Sequence, residues 1–516
     1  MRQDGNETNW RIPGGDREAV VIPPPEKWPE VARTNRRLNQ ARSVHRQIVA
    51  GALTYTRDLL GEEAKLPNEG DPLVLVTGHQ PGFCHPGVWF KNFLVAEAAR
   101  QNGAVAVNLI VDTDEVGVLG ALVPSWQDGW RQTRVALLTG RPQETFEHFP
   151  PPERSQIERF AAELAPLVHT GYPPETRKNV QRFLTLLDQE EFLAAPRELG
   201  LAGWLTALRR RYEGDLLGYL EYPVSRLAEL PAFKAFAAQI ITDAAAFTNQ
   251  YNQTLAAYRL AHGYRYKVNP FPDLQREETT GEYELPFWVK GAAGRFPVFV
   301  RLGAQRRSLC TEEQTLLSWE GALTPEQLVE VPLRPRGMVL TLFMRLFGCD
   351  LFLHGIGGAK YDGATSQFIR DYYGQEPPEY AGATLTLQPA LELVDLSVDE
   401  VRRLEELLRD VEHNPDRYLL WAGLSQSEQE RLSDLARQKE DLIARIKTAG
   451  ADRKALGLQI KELNQQIGVA LQGYREELTE RLHEKKRQLA AIQEAKRRDY
   501  AYFLFDPDEL KHFTKL

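Results

Sequence analysis

Thr77-Gly78-His79-Gln80-Pro81-Gly82 places three hydrogen-bonding side chains among two glycines, directly after the apolar run Leu73-Val74-Leu75-Val76. A helix that begins just past a buried strand turns its free N–H groups toward the carboxyl edge of the sheet, where an anion such as phosphate is stabilised. Thr77, His79 and Gln80 can donate hydrogen bonds there, and Gly78 and Gly82 let a ligand approach the backbone. His85 and Lys91 come within reach if the loop folds back. The spacing is neither that of a Walker A loop nor GxGxxG, and the same residues also suit an ordinary turn in which His79 satisfies backbone groups.

A second cluster, Asp112-Thr113-Asp114-Glu115, ends the apolar run Ala104 to Val111. Carboxylates at such a strand end can act as a base, orient an amine or hold a metal; Asp112 and Asp114 are the candidates, with His79, for catalysis. An acidic helix N-terminus would look the same. The third cluster, His354-Gly355-Ile356-Gly357-Gly358-Ala359-Lys360-Tyr361-Asp362, packs three glycines among His354, Lys360, Tyr361 and Asp362 after the apolar Leu351-Phe352-Leu353. Glycines this dense imply a backbone that passes close to something. Cys84 has His79 and His85 nearby as possible bases, although a lone loop cysteine more often simply packs; Cys310 and Cys349 read as core.

The elements that must position these residues follow from the pattern. Strand 73–76, the glycine-containing loop, a helix over 89–100 and strand 104–111 make a βαβ unit, with the wholly apolar strands of a parallel sheet covered on both faces. Strand 351–354, a glycine loop and a helix over 362–373 repeat the strand–loop–helix junction, and the two junctions at one sheet edge would form one cleft. The first thirty residues, with Pro13-Gly14-Gly15 and Pro23-Pro24-Pro25, read as an irregular arm, followed by a long helix or a helix pair from about Pro29 to Leu60. Residues 140–260 read as helices broken by prolines, and Leu285–Val289 with Phe296–Val300 as a hairpin in an insertion. From Ser397 the chain is charged and helical, with apolar stripes through Leu432, Leu435, Leu442 and Ile446, then Leu456, Ile460, Leu463, Ile467, Tyr474, Leu478 and Leu482. A break at Gly450 makes these two helices an antiparallel coiled-coil hairpin.

The chain resembles the bacillithiol biosynthesis cysteine-adding enzymes, the BshC family of cysteine ligases. Their first strand ends in Thr-Gly-Gln-Gln-x-Gly before a Gly-Pro and a lysine-bearing helix; here Thr77 to Gly82 precede Pro86-Gly87 and Lys91. Their acidic Glu-Asp-His-Asp resembles Val111-Asp112-Thr113-Asp114, and Gly357-Gly358, Pro377-Pro378 and Thr384-Leu385-Thr386-Leu387 follow in their order. His79, Thr113 and Ala359 stand where the family has Gln, His and Pro. The resemblance implies an α/β fold: a Rossmann-like parallel sheet core with helical and β insertions and a C-terminal antiparallel coiled coil that forms a homodimer. The segments would be 1–70 (arm and helix), 71–140 and 331–396 (core), 141–330 (insertion) and 397–516 (coiled coil). It also implies ATP or ADP bound by Thr77, Gly78, Gln80, Gly82, Lys91, His354, Gly357, Gly358, Lys360 and Tyr361, with the metal requirement unspecified, and a reaction joining cysteine to the amine of a small sugar–malate acceptor. A non-catalytic dimeric scaffold and a nucleotidyltransferase of other specificity stay open beside it.

Composition bounds these readings. A chain of 516 residues needs more than one structural unit, and 42% hydrophobic with 26% charged residues is globular. A net charge of -8 disfavours a general nucleic-acid binder. No apolar run reaches the roughly 18 residues that span a bilayer, Met1 to Asp16 lacks the apolar core of a signal peptide, and three scattered cysteines make no disulfide framework. The cytoplasm is the expected compartment, with small molecules as partners.

Overall fold

The computed structural model describes residues 10–39, 42–61, 70–168, 171–189, 199–214, 218–265, 271–277, 279–291, 294–303, 305–421, 423–448 and 452–515. In chain order the strands are β1 (Glu18–Ile22), β2 (Val74–His79), β3 (Val105–Ile110), the pair β4 (Val118–Trp126) and β5 (Trp130–Thr139), and β6 (Leu220–Pro223). Then follow β7 (Arg276–Glu277), β8 (Glu282–Gly291), β9 (Gly294–Leu302), β10 (Arg307–Cys310), β11 (Thr315–Trp319), β12 (Leu333–Pro335), β13 (Leu351–Gly355) and β14 (Ala381–Thr386). The chain divides into two compact units. One comprises Met1–Pro124, Thr133–Ala390 and Arg497–Leu516, the other Ser125–Gln132 and Leu391–Lys496.

The first unit is built on a six-stranded sheet in the order β1-β14-β13-β2-β3-β6. From β14 to β6 every pairing is parallel, and β1 runs antiparallel on the edge. Taken in chain order, the parallel strands lie as fifth, fourth, first, second, third. The order therefore reverses between β2 and β13, where Leu353 pairs with Thr77. Every residue of β3 and β14 is buried. Since successive side chains point to opposite faces, both faces of the sheet must be covered there. The helix Pro86–Asn102 packs on β2, β3, β13 and β14, the helix Ile356–Tyr373 on β13 and β14, and Arg42–Leu60 on β6 and β3.

The Pro86–Asn102 helix is buried on nearly every side, which accounts for its lack of a polar face. His85 caps it, extended at φ −86 and accepting from Gly87 N at 3.1 Å, and Pro86 supplies the preset first turn. Gly103 ends it in the left-handed conformation at φ 60.

Two expectations change. The arm is not irregular throughout: Glu18–Ile22 pairs along β14, with Ile22 opposite Gly382. The glycine loop after β13 does not exist, because the helix begins at Ile356 and Gly357 and Gly358 lie in its first turn. The expected hairpin forms as β8 and β9, outside the central sheet, in an antiparallel sheet of order β11-β10-β9-β8-β12.

In the second unit, helix Val398–His413 lies against Gln472–Ala495, and Gln426–Ile446 against Arg453–Ala470. Val411, Leu419, Leu432, Ile467, Leu471 and Leu478 form its core. The second stripe is carried by two helices that meet at Leu471 rather than by one. The break at Gly450 lies outside the described residues. Arg497–Leu516 groups with the first unit. No helix among the described residues is long and apolar enough to cross a membrane.

Candidate functional site

The junctions at β2 and β13 lie on neighbouring parallel strands, at the point where the strand order reverses. In open parallel sheets the crevice at such a point, beyond the carboxyl ends of the strands, is where ligands bind.

On the β2 side, several side chains expected to face a ligand are held by the protein itself. The Thr77 hydroxyl, fully buried, donates to the Leu353 carbonyl at 2.9 Å and ties β2 to β13. Lys91 is buried and its Nζ donates to the Gly78 carbonyl at 2.7 Å, while burial pushes its pKa down to about 8. His79 Nδ1 lies 2.7 Å from the Gln80 carbonyl. Burial and the neighbouring Lys91 push its imidazole down to about 3. A group that weakly basic is neutral at ordinary pH and poorly matched to general-base work. Burial raises the Cys84 thiol to about 11, which makes it an unreactive thiol rather than a nucleophile. A side chain at Gly78 would press on Leu109, its Cβ 3.1 Å from the leucine Cβ, whereas Gly82 has room for one.

The acidic strand end divides its two carboxylates between different tasks. Asp112 is buried and accepts from Ser225 N at 2.9 Å and from the Ser225 hydroxyl, so it caps the short helix that follows β6. Burial pushes it up to about 7 against those two hydrogen bonds. Asp114 accepts from Gln80 Nε2 at 2.5 Å and pairs with Arg295 Nη1 at 2.9 Å. Arg295 also donates to the Thr113 carbonyl at 2.9 Å and lies over the Trp288 ring. Gln80 and Asp114 are thus brought together, and β9 is clamped onto the loop.

On the β13 side the arrangement is different. His354 and Asp362 are buried, with Nε2 to Oδ2 at 3.0 Å, and Asp362 also takes Arg345 Nη1 at 2.8 Å. Burial alone would raise the Asp362 carboxyl, but Arg345 and His354 hold it well below the usual carboxylate range. Gly357 and Gly358 are exposed in the first helical turn, and Gly355, as cap, offers them no side chain. Nothing lies within 4 Å of where a Cβ on Gly357 would stand. Lys360 is exposed, and its carbonyl accepts from the Tyr258 hydroxyl. Tyr361 stands edge-on to Tyr264 at 5.9 Å.

Residues not singled out in the sequence complete the region. Asn108 Nδ2 donates to Glu221 at 2.7 Å, Arg209 pairs with Glu221, and Glu213 accepts from Trp89 Nε1 at 2.7 Å and from the Tyr219 hydroxyl at 2.8 Å. His79, Asn108 and Arg209 line a cavity of about 20 Å³ at this sheet edge, with room for about one water. The Asn108 Oδ1 is buried with no hydrogen-bond partner among the described residues. A glutamate inside the strand Leu220–Pro223 and an asparagine inside the apolar run of β3 were the available signals.

Among the described residues no group of three or more His, Cys, Asp or Glu is arranged to hold a metal ion. The chain matches no protein-family model and no curated protein.

Proposed function

We propose that this chain is a Rossmann-like ligase that binds ATP or ADP at the reversal of strand order and joins cysteine, or a similar amino acid, to the amine of a small sugar–malate-type acceptor. The reaction and its substrates come from the resemblance to the bacillithiol cysteine-adding enzymes. The observation that supports a nucleotide is the bare N-terminus of the Ile356–Tyr373 helix. Its first turn carries Gly357 and Gly358, exposed, uncapped by any side chain, with open space at Gly357. The first N–H groups of a helix have no partner within it, and the helix dipole adds a partial positive charge there. A phosphate fits these donors, with Lys360 exposed in the same turn. Thr77 and Lys91 do not offer themselves in the same way, so the nucleotide would rest on the β13 side, with Gln80 and Asp114 at its other flank. In this reading the helices of the second unit form a coiled coil between two copies.

The test is a melting curve with and without ATP or ADP, followed by an assay for phosphate or pyrophosphate release on adding cysteine and glucosaminyl malate. A ligand that binds only the folded state raises the melting temperature. Release with other carboxylic acids but not cysteine would favour a nucleotidyltransferase. An unchanged melting temperature at millimolar nucleotide would overturn the proposal.

One observation favours a second reading, a dimeric scaffold without turnover. The polar groups of the β2 side are occupied by Leu353, Gly78, Ser225 and Arg295, and the cavity lined by His79, Asn108 and Arg209 holds about one water. That reading expects His79→Ala with Asp112→Ala to leave cellular function intact, and polar substitutions at Ile460, Leu463 and Ile467 to abolish it.

A further inference from the structure

A larger cavity, of about 390 Å³, opens in the first unit near the amino end of β14, beside Ile22 and Pro23. Its volume falls in the range of small-molecule sites. Two aromatic pairs line it. Trp10 and Tyr380 stack with centroids 6.3 Å apart, and Tyr258 and His262 with centroids 3.9 Å apart. Three features hold these rings in place. The Tyr380 hydroxyl donates to the Ala359 carbonyl at 3.0 Å, and the Tyr258 hydroxyl donates to the carbonyl of Lys360. The Trp10 indole lies so close on β14 that a Cβ at Gly382 would come within 2.3 Å of it, so only glycine fits there.

The remaining wall carries one charge of each sign. Arg370 and Asp371 are consecutive, exposed, and both line the cavity. Among the described residues the ion pair of Arg370 is a long one, 3.9 Å, to Glu376, which is 80% exposed. Asp371 is steadied by Gln367 Nε2 at 2.7 Å. Aromatic faces beside an adjacent guanidinium and carboxylate match a planar ring attached to a zwitterion. The ring would be buried against the aromatic pairs, and the ammonium and carboxylate would each meet an opposite charge.

We propose that this cavity binds a free aromatic α-amino acid, its carboxylate on Arg370 and its ammonium on Asp371. The charged end of the cavity lies away from the turn of the proposed nucleotide site, while the aromatic end, through Tyr380 and Tyr258, meets the carbonyls of Ala359 and Lys360. Arg370 lies twelve residues along the helix from Gly358, about 18 Å at 1.5 Å per residue. It does not depend on the reading of that site.

Isothermal titration of the full chain with L-phenylalanine tests it. Three comparison ligands each lack one element: 3-phenylpropionate the ammonium, phenethylamine the carboxylate, and L-alanine the ring. L-Phenylalanine should bind, and each comparison ligand should bind at least roughly tenfold more weakly. Arg370→Gln should reduce L-phenylalanine to the level of phenethylamine, and Asp371→Asn to that of 3-phenylpropionate. Both positions are exposed, so unchanged melting curves should accompany the loss. No heat with L-phenylalanine, equal binding by any comparison ligand, or binding indifferent to both substitutions would overturn the proposal.

Discussion

His354 Nε2 and Asp362 Oδ2 stand 3.0 Å apart in the buried base of the β13 junction, and the same carboxylate oxygen takes Arg345 Nη1 at 2.8 Å. The pair therefore belongs to the framework beneath the glycines rather than to the surface a ligand meets. Arg345 is about as buried as a core leucine, and it also donates to the Pro378 carbonyl and to Ser366 Oγ at 2.9 Å. Removing one partner of a buried charge pair leaves the other without compensation, at a cost of about 3–5 kcal/mol. Arg345→Ala should therefore destabilise the first unit by about that much in urea unfolding. A loss below about 1 kcal/mol would mean that Asp362 does not depend on the guanidinium.

The first turn of the Ile356–Tyr373 helix separates binding from stability. Gly357 has no left-handed φ and no neighbour where a Cβ would stand. Gly357→Ala should stabilise the fold by about 0.5–1 kcal/mol, because glycine is a poor helix former. Gly357→Asp should also be tolerated, since an acidic side chain favours a helix N-terminus, yet it should abolish nucleotide binding by repelling phosphate. Melting curves with and without ADP on both variants give the answer. An ADP shift that survives in Gly357→Asp would remove this turn from the site.

Two buried groups should give the stability opposing pH dependences. The Asp112 carboxyl, raised to about 7 in the folded chain, holds a proton there that the unfolded chain releases near pH 4. Its contribution is therefore full below about pH 4 and is lost as pH rises toward about 7. The His79 ring, lowered to about 3, behaves in the opposite sense: its contribution is present above about pH 6.5 and is lost as pH falls toward about 3. Asp112→Asn keeps an acceptor for Ser225 N and removes only the first effect. Relative to the parent chain the variant should lose stability progressively from pH 7 down to pH 4, at roughly 1.4 kcal/mol per unit. A constant difference across that range would show that Asp112 does not titrate there.

How much of this was legible depended on whether a feature is local. β2, β3 and β13 could be read as strands because their buried faces leave mainly apolar runs at 73–76, 104–111 and 351–353, whereas β14, with Thr384 and Thr386 inside it, was placed only by the resemblance. β1 escaped because it is a partly exposed edge strand embedded among prolines and glycines. β6 escaped because its four residues include Glu221 and Pro223. The two junctions could be located, but not what their side chains do. The Thr77 hydroxyl meets a carbonyl 276 positions away, and Asp112 meets Ser225 113 positions away. Nothing in local spacing distinguishes a histidine that faces a ligand from His354, which faces Asp362.

In the proposed function a nucleotide lies at the reversal of strand order, its phosphates on the first turn after β13. A structure determined with ADP tests it most directly. Phosphate density is expected against the backbone of Gly357 and Gly358, with Gln80 and Asp114 at the opposite flank. Density elsewhere on the molecule, or a bare first turn at saturating ADP, would contradict it.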